Sequence, residues 1–225
     1  EARGKVNGVV ASATTPVEEG DQVTLDGKKV APSTKPLPRL FRLNKPLDVL
    51  VTTRDHKGRP AIFDLPALKD AALPRLMSVG RLDVNSEGLL LLSSDGPLAQ
   101  AMMSPATALA RVYRVRLRGR LTPQNIDALA QGVEIDGVSY RGAEFVEEYD
   151  RSGRSNSWYR VVLTEGKNRE IRKLAEHFGC AVNRLIRVQY GPFQLGTLAL
   201  GALAEIPARE VEQFLAFLKV RGVAL

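Results

Sequence analysis

The residue of this chain best placed to do chemistry is a single carboxylate at the mouth of an apolar strand. Asp83 follows Gly80-Arg81-Leu82 and opens a short polar stretch that ends at Glu87. Four consecutive leucines at 89–92 then predict a buried strand, and Asp95-Gly96 predicts a turn that ends it. A carboxylate between a polar loop and a buried strand is partly desolvated, which favours its use as a nucleophile. On the acid alone, a turn residue or an ion-pair partner is the simpler interpretation.

A strand with two unlike faces is predicted between residues 111 and 120. Arg114, Arg116, Arg118 and Arg120 alternate there with Val115, Leu117 and Gly119. This period of two predicts one cationic and one apolar face. Tyr113 has the parity of the apolar residues, so we expect it to point inward. A core tyrosine whose hydroxyl finds a partner is the simpler interpretation of this position.

Residues 165–179 predict an amphipathic helix with a basic start. Its apolar residues recur at i, i+3, i+4 and i+7, and Gly179 ends it; they are Ile171, Leu174, Ala175 and Phe178. Four cations lie near its N-terminus: Lys167, Arg169, Arg172 and Lys173. Cations at this end oppose the helix dipole, and a bound anion would offset that penalty. The alternative is a solvated basic face that Glu165, Glu170 and Glu176 partly neutralise.

The elements that must position these residues predict an α+β protein. Residues 1–31 are expected to form a small β-rich unit, residues 32–39 a proline-rich linker and residues 40–221 the main domain. In the main domain we expect further helices at 122–131 and 211–218, and further strands at 133–135, 158–164 and 184–191. Strands and helices without a βαβ rhythm favour a mainly antiparallel sheet flanked by helices.

Composition narrows the possible classes of protein. The chain has 225 residues, of which 44% are hydrophobic, so it is long and apolar enough to fold around a core. Its formal net charge of +7 fits an anionic partner such as RNA. The one cysteine, Cys180, can form no internal disulfide, which fits the cytoplasm. With only two histidines, no glycine-rich phosphate loop and no membrane-length apolar run, we expect no metal, nucleotide cofactor or membrane.

Together these motifs resemble the bacterial ribosomal RNA pseudouridine synthases, in the branch that carries an N-terminal S4-like RNA-binding module. The stretch from Arg81 to Gly96 resembles the catalytic motif of this family, with Ser86 where Thr is more frequent. Arg111-Val112-Tyr113 resembles its basic-x-Tyr motif, and residues 166–173 resemble its third motif. Lys45-Pro46, with Asp48 in a glycine position, also matches, as do residues 55–64 and 184–191. Residues 1–31 resemble the second half of an S4 module without its preceding helices.

The resemblance implies the pseudouridine synthase fold and a role for each candidate residue. Asp83 is the expected catalytic nucleophile or base, Arg172 its ion-pair partner, and Tyr113 the residue beside the target base. Ile171 and Leu174 are expected to form apolar walls of the pocket. The residues expected to contact RNA are Arg81, Lys45, Lys167, Asn168, Arg169 and Arg187. No cofactor is implied, because an isomerisation has no redox step.

The implied function is site-specific isomerisation of uridine to pseudouridine in ribosomal RNA. Residues 164–172 and 184–188 look closer to the large-subunit enzymes, so the expected partner is a 23S rRNA stem-loop, bound by a monomer with the target base flipped out. The alternatives are a non-catalytic RNA-binding or ribosome-assembly protein, and the same chemistry on 16S rRNA or transfer RNA. The joint presence of Asp83, Tyr113 and Arg172 favours an enzyme, because a carboxylate facing a polyanion is no help to a pure binder.

Overall fold

A computed structural model describes residues 3–12, 15–18, 20–30, 36–52, 58–148 and 156–223 of the chain. These fall into two compact units, Glu1–Leu37 and Pro38–Leu225. Within the described ranges, no helix is both long and apolar enough to cross a membrane. Residues 55–57 of the predicted motif at 55–64 and residues 32–35 of the predicted linker lie outside the described residues.

The smaller unit is a four-stranded antiparallel sheet. Its strands are β1 (Gly4–Val6), β2 (Val9–Val10), β3 (Val23–Leu25) and β4 (Lys28–Lys29), in the order β2-β1-β3-β4. Asn7-Gly8 and Asp26-Gly27 turn its two hairpins with positive φ at all four residues, which is the backbone that two-residue hairpin loops favour. The described residues of this unit are therefore rich in β-structure, as the sequence predicts.

The larger unit contains a mixed sheet and four α-helices among its described residues. Its strands are β5 (Leu40–Lys45), β6 (Met77–Val79), β7 (Glu87–Ser93), β8 (Arg111–Arg118), β9 (Val133–Ile135), β10 (Val138–Tyr140), β11 (Glu144–Glu148), β12 (Asn156–Leu163), β13 (Ala181–Tyr190), β14 (Phe193–Gln194) and β15 (Leu203–Glu205). Its helices are α1 (Gly96–Met103), α2 (Pro123–Gln131), α3 (Glu170–His177) and α4 (Ala208–Val220). The main sheet runs β11-β12-β8-β13-β7-β5-β15, with β14 and β6 at its side, while β9 and β10 form a separate hairpin.

The sheet is antiparallel except where β13 and β7 pair in parallel. This confirms the α+β class and the mainly antiparallel sheet. At the parallel pair the two backbones come so close that a Cβ on Gly88 would lie 2.3 Å from the carbonyl oxygen of Arg187. Gly88 also has a φ of 97°, so only glycine fits this position without strain. The strand that follows Asp83 is thereby locked against β13.

The four-leucine run of β7 separates two apolar clusters, one on each face of the sheet. Leu90 and Leu92 belong to the cluster that includes Tyr113 and α3, whereas Leu89 and Leu91 belong to the cluster that includes α1 and α4. All four are fully buried, as expected of a strand covered on both faces. The predicted turn at Asp95-Gly96 is instead the start of α1: Asp95 caps the helix by accepting a hydrogen bond from Leu98 N at 2.8 Å.

Candidate active site

Asp83 lies in a tight loop between β6 and β7 that is anchored from two sides. The carbonyl of Asp83 accepts a hydrogen bond from Ser86 N at 3.0 Å, which closes the loop on itself. The buried ammonium of Lys45, at the end of β5, donates to the Ser86 carbonyl at 2.9 Å. Asp48 N donates to the Val84 carbonyl at 2.9 Å, and Asp48 has a φ of 60°, so this position needs a left-handed residue where the family pattern has glycine. These contacts fix the position of the loop that carries the Asp83 carboxylate.

Two guanidinium groups approach the Asp83 carboxylate. Arg169 Nη1 is 3.6 Å and Arg172 Nε is 3.8 Å from Asp83 Oδ2. Arg172 is held rigidly, since its Nη2 donates to the Asn85 carbonyl at 2.9 Å and its Nη1 to the Val182 carbonyl at 3.2 Å. Its Nε has no hydrogen-bond partner among the described residues and is directed to the acid. Burial lowers the pKa of Arg172, and Asp83 opposes that shift.

The backbone before α3 turns sharply and places basic residues at the edge of the site. Arg169 is the N-cap residue of α3 with a φ of 52°, and its side chain is exposed. Glu170, the first residue of the helix, accepts a hydrogen bond from Lys167 N at 2.9 Å through its buried carboxylate. Burial raises the pKa of Glu170 to about 7. This loop therefore places both Arg169 and Arg172 beside the same oxygen, Asp83 Oδ2.

A cavity of about 560 Å³ opens beside Asp83, a size typical of small-molecule sites. Its apolar walls include Ile171, Leu163 and Leu185, and Tyr113 lies in its lining with only 8% of its surface exposed. Of the eleven residues that the sequence predicts for the site, nine line this one cavity: Arg81, Asp83, Tyr113, Lys167, Asn168, Arg169, Ile171, Arg172 and Arg187. The cavity thus combines a paired carboxylate, an aromatic ring, apolar walls and a cationic rim.

The structure corrects the two remaining predictions. Lys45 was expected to contact RNA, but it is fully buried and its ammonium binds the carbonyls of Pro46 and Ser86. Burial lowers the pKa of Lys45 to about 8. Leu174 was expected to wall the pocket, but it is 1% exposed and packs in the core under α3 without reaching the cavity. Both residues therefore pack behind the cavity lining and are not part of it.

Lys167 reaches the cavity, but its ammonium already has partners. Its Nζ donates to Glu165 Oε2 at 2.9 Å and to the Ser139 carbonyl, and it lies 5.2 Å from the centre of the Tyr140 ring. Although burial opposes the shift, hydrogen bonds from Arg141 N and Lys167 keep the pKa of Glu165 below its usual value. Lys167 therefore ties the rim to the β9–β10 hairpin.

Sequence reasoning gave no role to three residues that line the cavity, Arg111, Glu170 and Tyr190. Arg111 has the same parity as Tyr113 on β8, and this signal was available in the sequence. Tyr190 is fully buried and its hydroxyl donates to the Met102 carbonyl at 2.9 Å. No pattern in the sequence predicts this contact, because 88 residues separate its two partners.

Comparison with known proteins places the chain in a family. The family model described as RNA pseudouridylate synthase matches residues 39–177. A Rickettsia felis protein named an uncharacterized RNA pseudouridine synthase is 40% identical over 95% of this chain and 90% of its own length. A Xanthomonas campestris protein named ribosomal large subunit pseudouridine synthase B is 41% identical over 96% of this chain, which spans 44% of that longer relative.

A solved structure of a pseudouridylate synthase matches the fold. It superposes with a TM-score of 0.69 over 94% of this chain and 88% of its own, at 24% sequence identity. The expected pseudouridine synthase fold is therefore confirmed. The family match covers the Asp83 loop, the Tyr113 strand and the start of α3. On the family model and on relatives about 40% identical, the chain belongs to the RNA pseudouridylate synthase family.

Proposed function

We propose that this enzyme converts one uridine of 23S rRNA into pseudouridine, with Asp83 as its catalytic residue. The observation that carries the proposal is the Asp83 carboxylate held between Arg169 and Arg172 at the edge of a nucleoside-sized cavity. The choice of 23S rRNA is supported by the relatives named ribosomal large subunit pseudouridine synthase B. We also propose that the enzyme acts as a monomer in the cytoplasm, where bacterial ribosomes are made.

The reaction breaks the N1–C1′ bond of uridine and forms a C5–C1′ bond, while the hydrogen of C5 is lost and N1 gains one. A base stacked in a helix cannot turn in this way, so the target uridine enters the cavity flipped out, at a cost of a few kcal/mol. Asp83 initiates cleavage as nucleophile or base. No redox change occurs, so neither a cofactor nor a metal ion is part of the proposal.

The neighbours of Asp83 each have a physical task. The guanidinium of Arg172 favours the ionised carboxylate, because an adjacent cation stabilises the charged form of an acid. Tyr113 lies beside the base, where its ring stacks on the uracil and its hydroxyl serves proton transfer at C5. Ile171 excludes water on the opposite side. Only a carboxylate already paired in this way can face an RNA without strong repulsion.

The exposed cations around the cavity would bind the RNA backbone. Arg81, Asn168 and Arg169 are exposed residues in the cavity lining, and Lys167 lies beside them. Phosphate contacts of this kind position an RNA without reading its sequence. We also propose that residues 1–31 act as a partial S4-like RNA-binding module, joined by residues 32–39 to a catalytic domain at 40–221.

Pseudouridine mapping tests this function. The protein is incubated with unmodified transcripts of 23S rRNA, 16S rRNA and transfer RNA, and each RNA is mapped at nucleotide resolution. We expect pseudouridine at one position of 23S rRNA. Pseudouridine only in 16S rRNA or transfer RNA would refute the substrate, and tight binding without any pseudouridine would show a non-catalytic RNA-binding protein instead.

A further inference from the structure

Two arginines that line the cavity, Arg111 and Arg187, both contact the ring of Tyr190. Arg111 on β8 pairs in register with Tyr190 on β13, and Arg187 pairs with Tyr113. A register shift between Arg187 and Gln189 brings Tyr190 into line with Arg111. The guanidinium of Arg111 lies 4.8 Å and that of Arg187 lies 5.1 Å from the centre of the Tyr190 ring. Two positive groups are thus held on one ring, next to Tyr113.

Neither guanidinium has an acidic partner within the described part of the chain. Arg187 donates through Nε to the Leu89 carbonyl at 2.7 Å, and its buried Nη2 has no partner there. Arg111 donates to the Tyr190 hydroxyl at 3.0 Å, and its other contacts are carbonyls at 3.4 Å. The ion pairs among the described residues include neither arginine, and Asp83 is paired with Arg169 and Arg172.

This arrangement is costly without an anion. Arg187 is 2% exposed and Arg111 is 9% exposed, and buried charges are normally paired. Two cations on one ring also repel each other. The Tyr190 ring and the carbonyls hold both guanidinium groups in place in the lining of the cavity. The missing partner is therefore an anion that arrives with the substrate.

We propose that Arg111 and Arg187 form an anion site in the wall of the active-site cavity, which takes the phosphodiester group next to the target uridine. This inference rests on the proposed function. Guanidinium groups bind phosphate oxygens through paired hydrogen bonds, which suits this choice of residue. Because cross-strand neighbours lie about 5 Å apart, a phosphate bound at Arg187 is within one nucleotide of a base beside Tyr113. The site positions the flipped nucleotide, whereas the exposed rim binds the rest of the backbone.

The first experiment uses inorganic phosphate as the probe and needs no RNA. The melting temperature of the protein is measured in phosphate and in chloride at equal ionic strength, for wild type, Arg111→Gln, Arg187→Gln and Arg187→Lys. The matched control is Arg118→Gln, an exposed arginine on the same strand as Arg111. We expect phosphate to raise the melting temperature of wild type and Arg118→Gln, and not that of either glutamine variant. Equal shifts in all variants would overturn the site.

The second experiment changes the RNA and compares the wild-type protein with the two glutamine variants. Each phosphate flanking the target uridine is replaced in turn by a neutral methylphosphonate in the stem-loop that pseudouridine mapping identifies. One replacement should weaken binding by roughly tenfold in the wild type and add nothing in Arg187→Gln, since the two changes remove the same contact. If the loss from each methylphosphonate adds fully to the loss from Arg187→Gln at every position, the inference is overturned. Arg111→Gln is tested in the same way, so that poor folding of Arg187→Gln alone does not decide the result.

The two proposals can fail separately. If phosphate stabilises the protein through Arg111 and Arg187 but no RNA gains pseudouridine, the anion site stands and the proposed function falls. If pseudouridine forms but neither experiment links these arginines to a phosphate, the proposed function stands and the anion site falls.

Discussion

At the residue scale, the site depends on how one carboxylate is shared between two unlike arginines. Arg172 is buried and fixed by two carbonyls, whereas the side chain of Arg169 is exposed and lies 3.6 Å from the acid. Asp83 itself keeps a third of its side chain exposed, at 34%. The acid is therefore partly accessible, while the guanidinium of Arg172 beside it is held by hydrogen bonds. We expect Arg172 to act on Asp83 and Arg169 to contact RNA phosphate.

Asp83→Asn should abolish pseudouridine formation and leave the fold and RNA affinity nearly unchanged. The amide keeps the shape of the side chain but can neither attack nor accept a proton. Turnover on ribosomal RNA, thermal stability and RNA binding are measured together. Turnover at the wild-type rate would refute the catalytic assignment, and a collapse of stability with normal turnover per folded molecule would leave Asp83 only a structural ion-pair partner.

Tyr113→Phe and Tyr113→Ala should separate the ring from the hydroxyl. If the ring stacks on the uracil, Phe keeps substrate affinity and Ala loses about 1–3 kcal/mol of it. If the hydroxyl also moves a proton, Phe binds normally and turns over slowly. Single-turnover rates and affinities are measured for both variants. Wild-type activity in both would make Tyr113 no more than a core residue.

At the scale of elements, the loop before α3 and the end of β5 both contact the Asp83 loop. The register of β7 against β5 pairs Gly88 with Lys45, and this brings the buried ammonium under Ser86. The start of α3 carries the arginines that meet the same loop from above. Because the two supports come from distant parts of the chain, the position of Asp83 depends on the whole sheet.

Arg169→Ala and Arg172→Ala should have different effects on RNA binding and turnover, although both residues lie at the start of α3. Loss of the exposed Arg169 should weaken binding to many RNA sequences and lower the slope of log affinity against log salt by about 0.7–0.9. Loss of the buried Arg172 should reduce turnover more than affinity. Lys173→Ala, exposed on the same helix and outside the cavity, is the control. If Arg172→Ala changes only the salt slope, its pairing with Asp83 has no catalytic part.

Lys45→Met should slow turnover and leave the salt dependence of RNA binding unchanged. Methionine fills nearly the same space, but it cannot donate to the Ser86 carbonyl, so the Asp83 loop loses an anchor. The unsatisfied carbonyls should cost about 1–3 kcal/mol of unfolding free energy. Chemical denaturation, single-turnover kinetics and a salt titration of binding provide the test. A lower slope of log affinity against log salt in Lys45→Met would show that Lys45 contacts an RNA phosphate after all.

At the scale of the whole molecule, two carboxylates link the rim of the cavity to the β9–β10 hairpin. Glu165 accepts hydrogen bonds from Arg141 N and from Lys167, while Glu170 accepts one from Lys167 N. Burial raises the pKa of Glu170 to about 7, and the negative charge of Glu165 adds to this shift. Glu170 therefore keeps its proton up to near neutral pH.

Glu170→Gln should remove a pH dependence of stability. The pKa of Glu170 is higher in the folded state than its ordinary value of 4.5, so the folded protein binds the extra proton. Its contribution to stability is full below pH 4.5 and is lost as the pH rises through about 7. Glutamine mimics the protonated acid, so the variant should gain stability relative to wild type across this window. Unfolding free energies from pH 4 to 8, with the exposed Glu176→Gln as control, check this; parallel curves for Glu170→Gln and wild type would contradict it.

The sequence by itself determined the elements and most of the site, because these depend on local periodicity and local turn chemistry. The alternation around Tyr113, the leucine run after Asp83 and the helical spacing after Glu170 each appear as β8, β7 and α3. The resemblance of these motifs to a known family also located nine residues that line one cavity. One exception is α1, where Asp95-Gly96 has the chemistry of both a turn and a helix start, and the following apolar residues decide between them. The sequence patterns also predicted none of the strands β5, β6, β10, β11, β14 and β15.

Only the tertiary structure decided what each side chain of the site contacts. Ile171 and Leu174 share a helix face, but the cavity lies at the start of α3, and three residues of rise move Leu174 about 4.5 Å further along, into the core. Lys45 is a cation in a polar motif, yet the pairing of β5 with β7 buries it. Arg111 and Arg187 meet on Tyr190 only through the register of β8 and β13. Such contacts join residues far apart in the chain, and no local pattern encodes the distance between them.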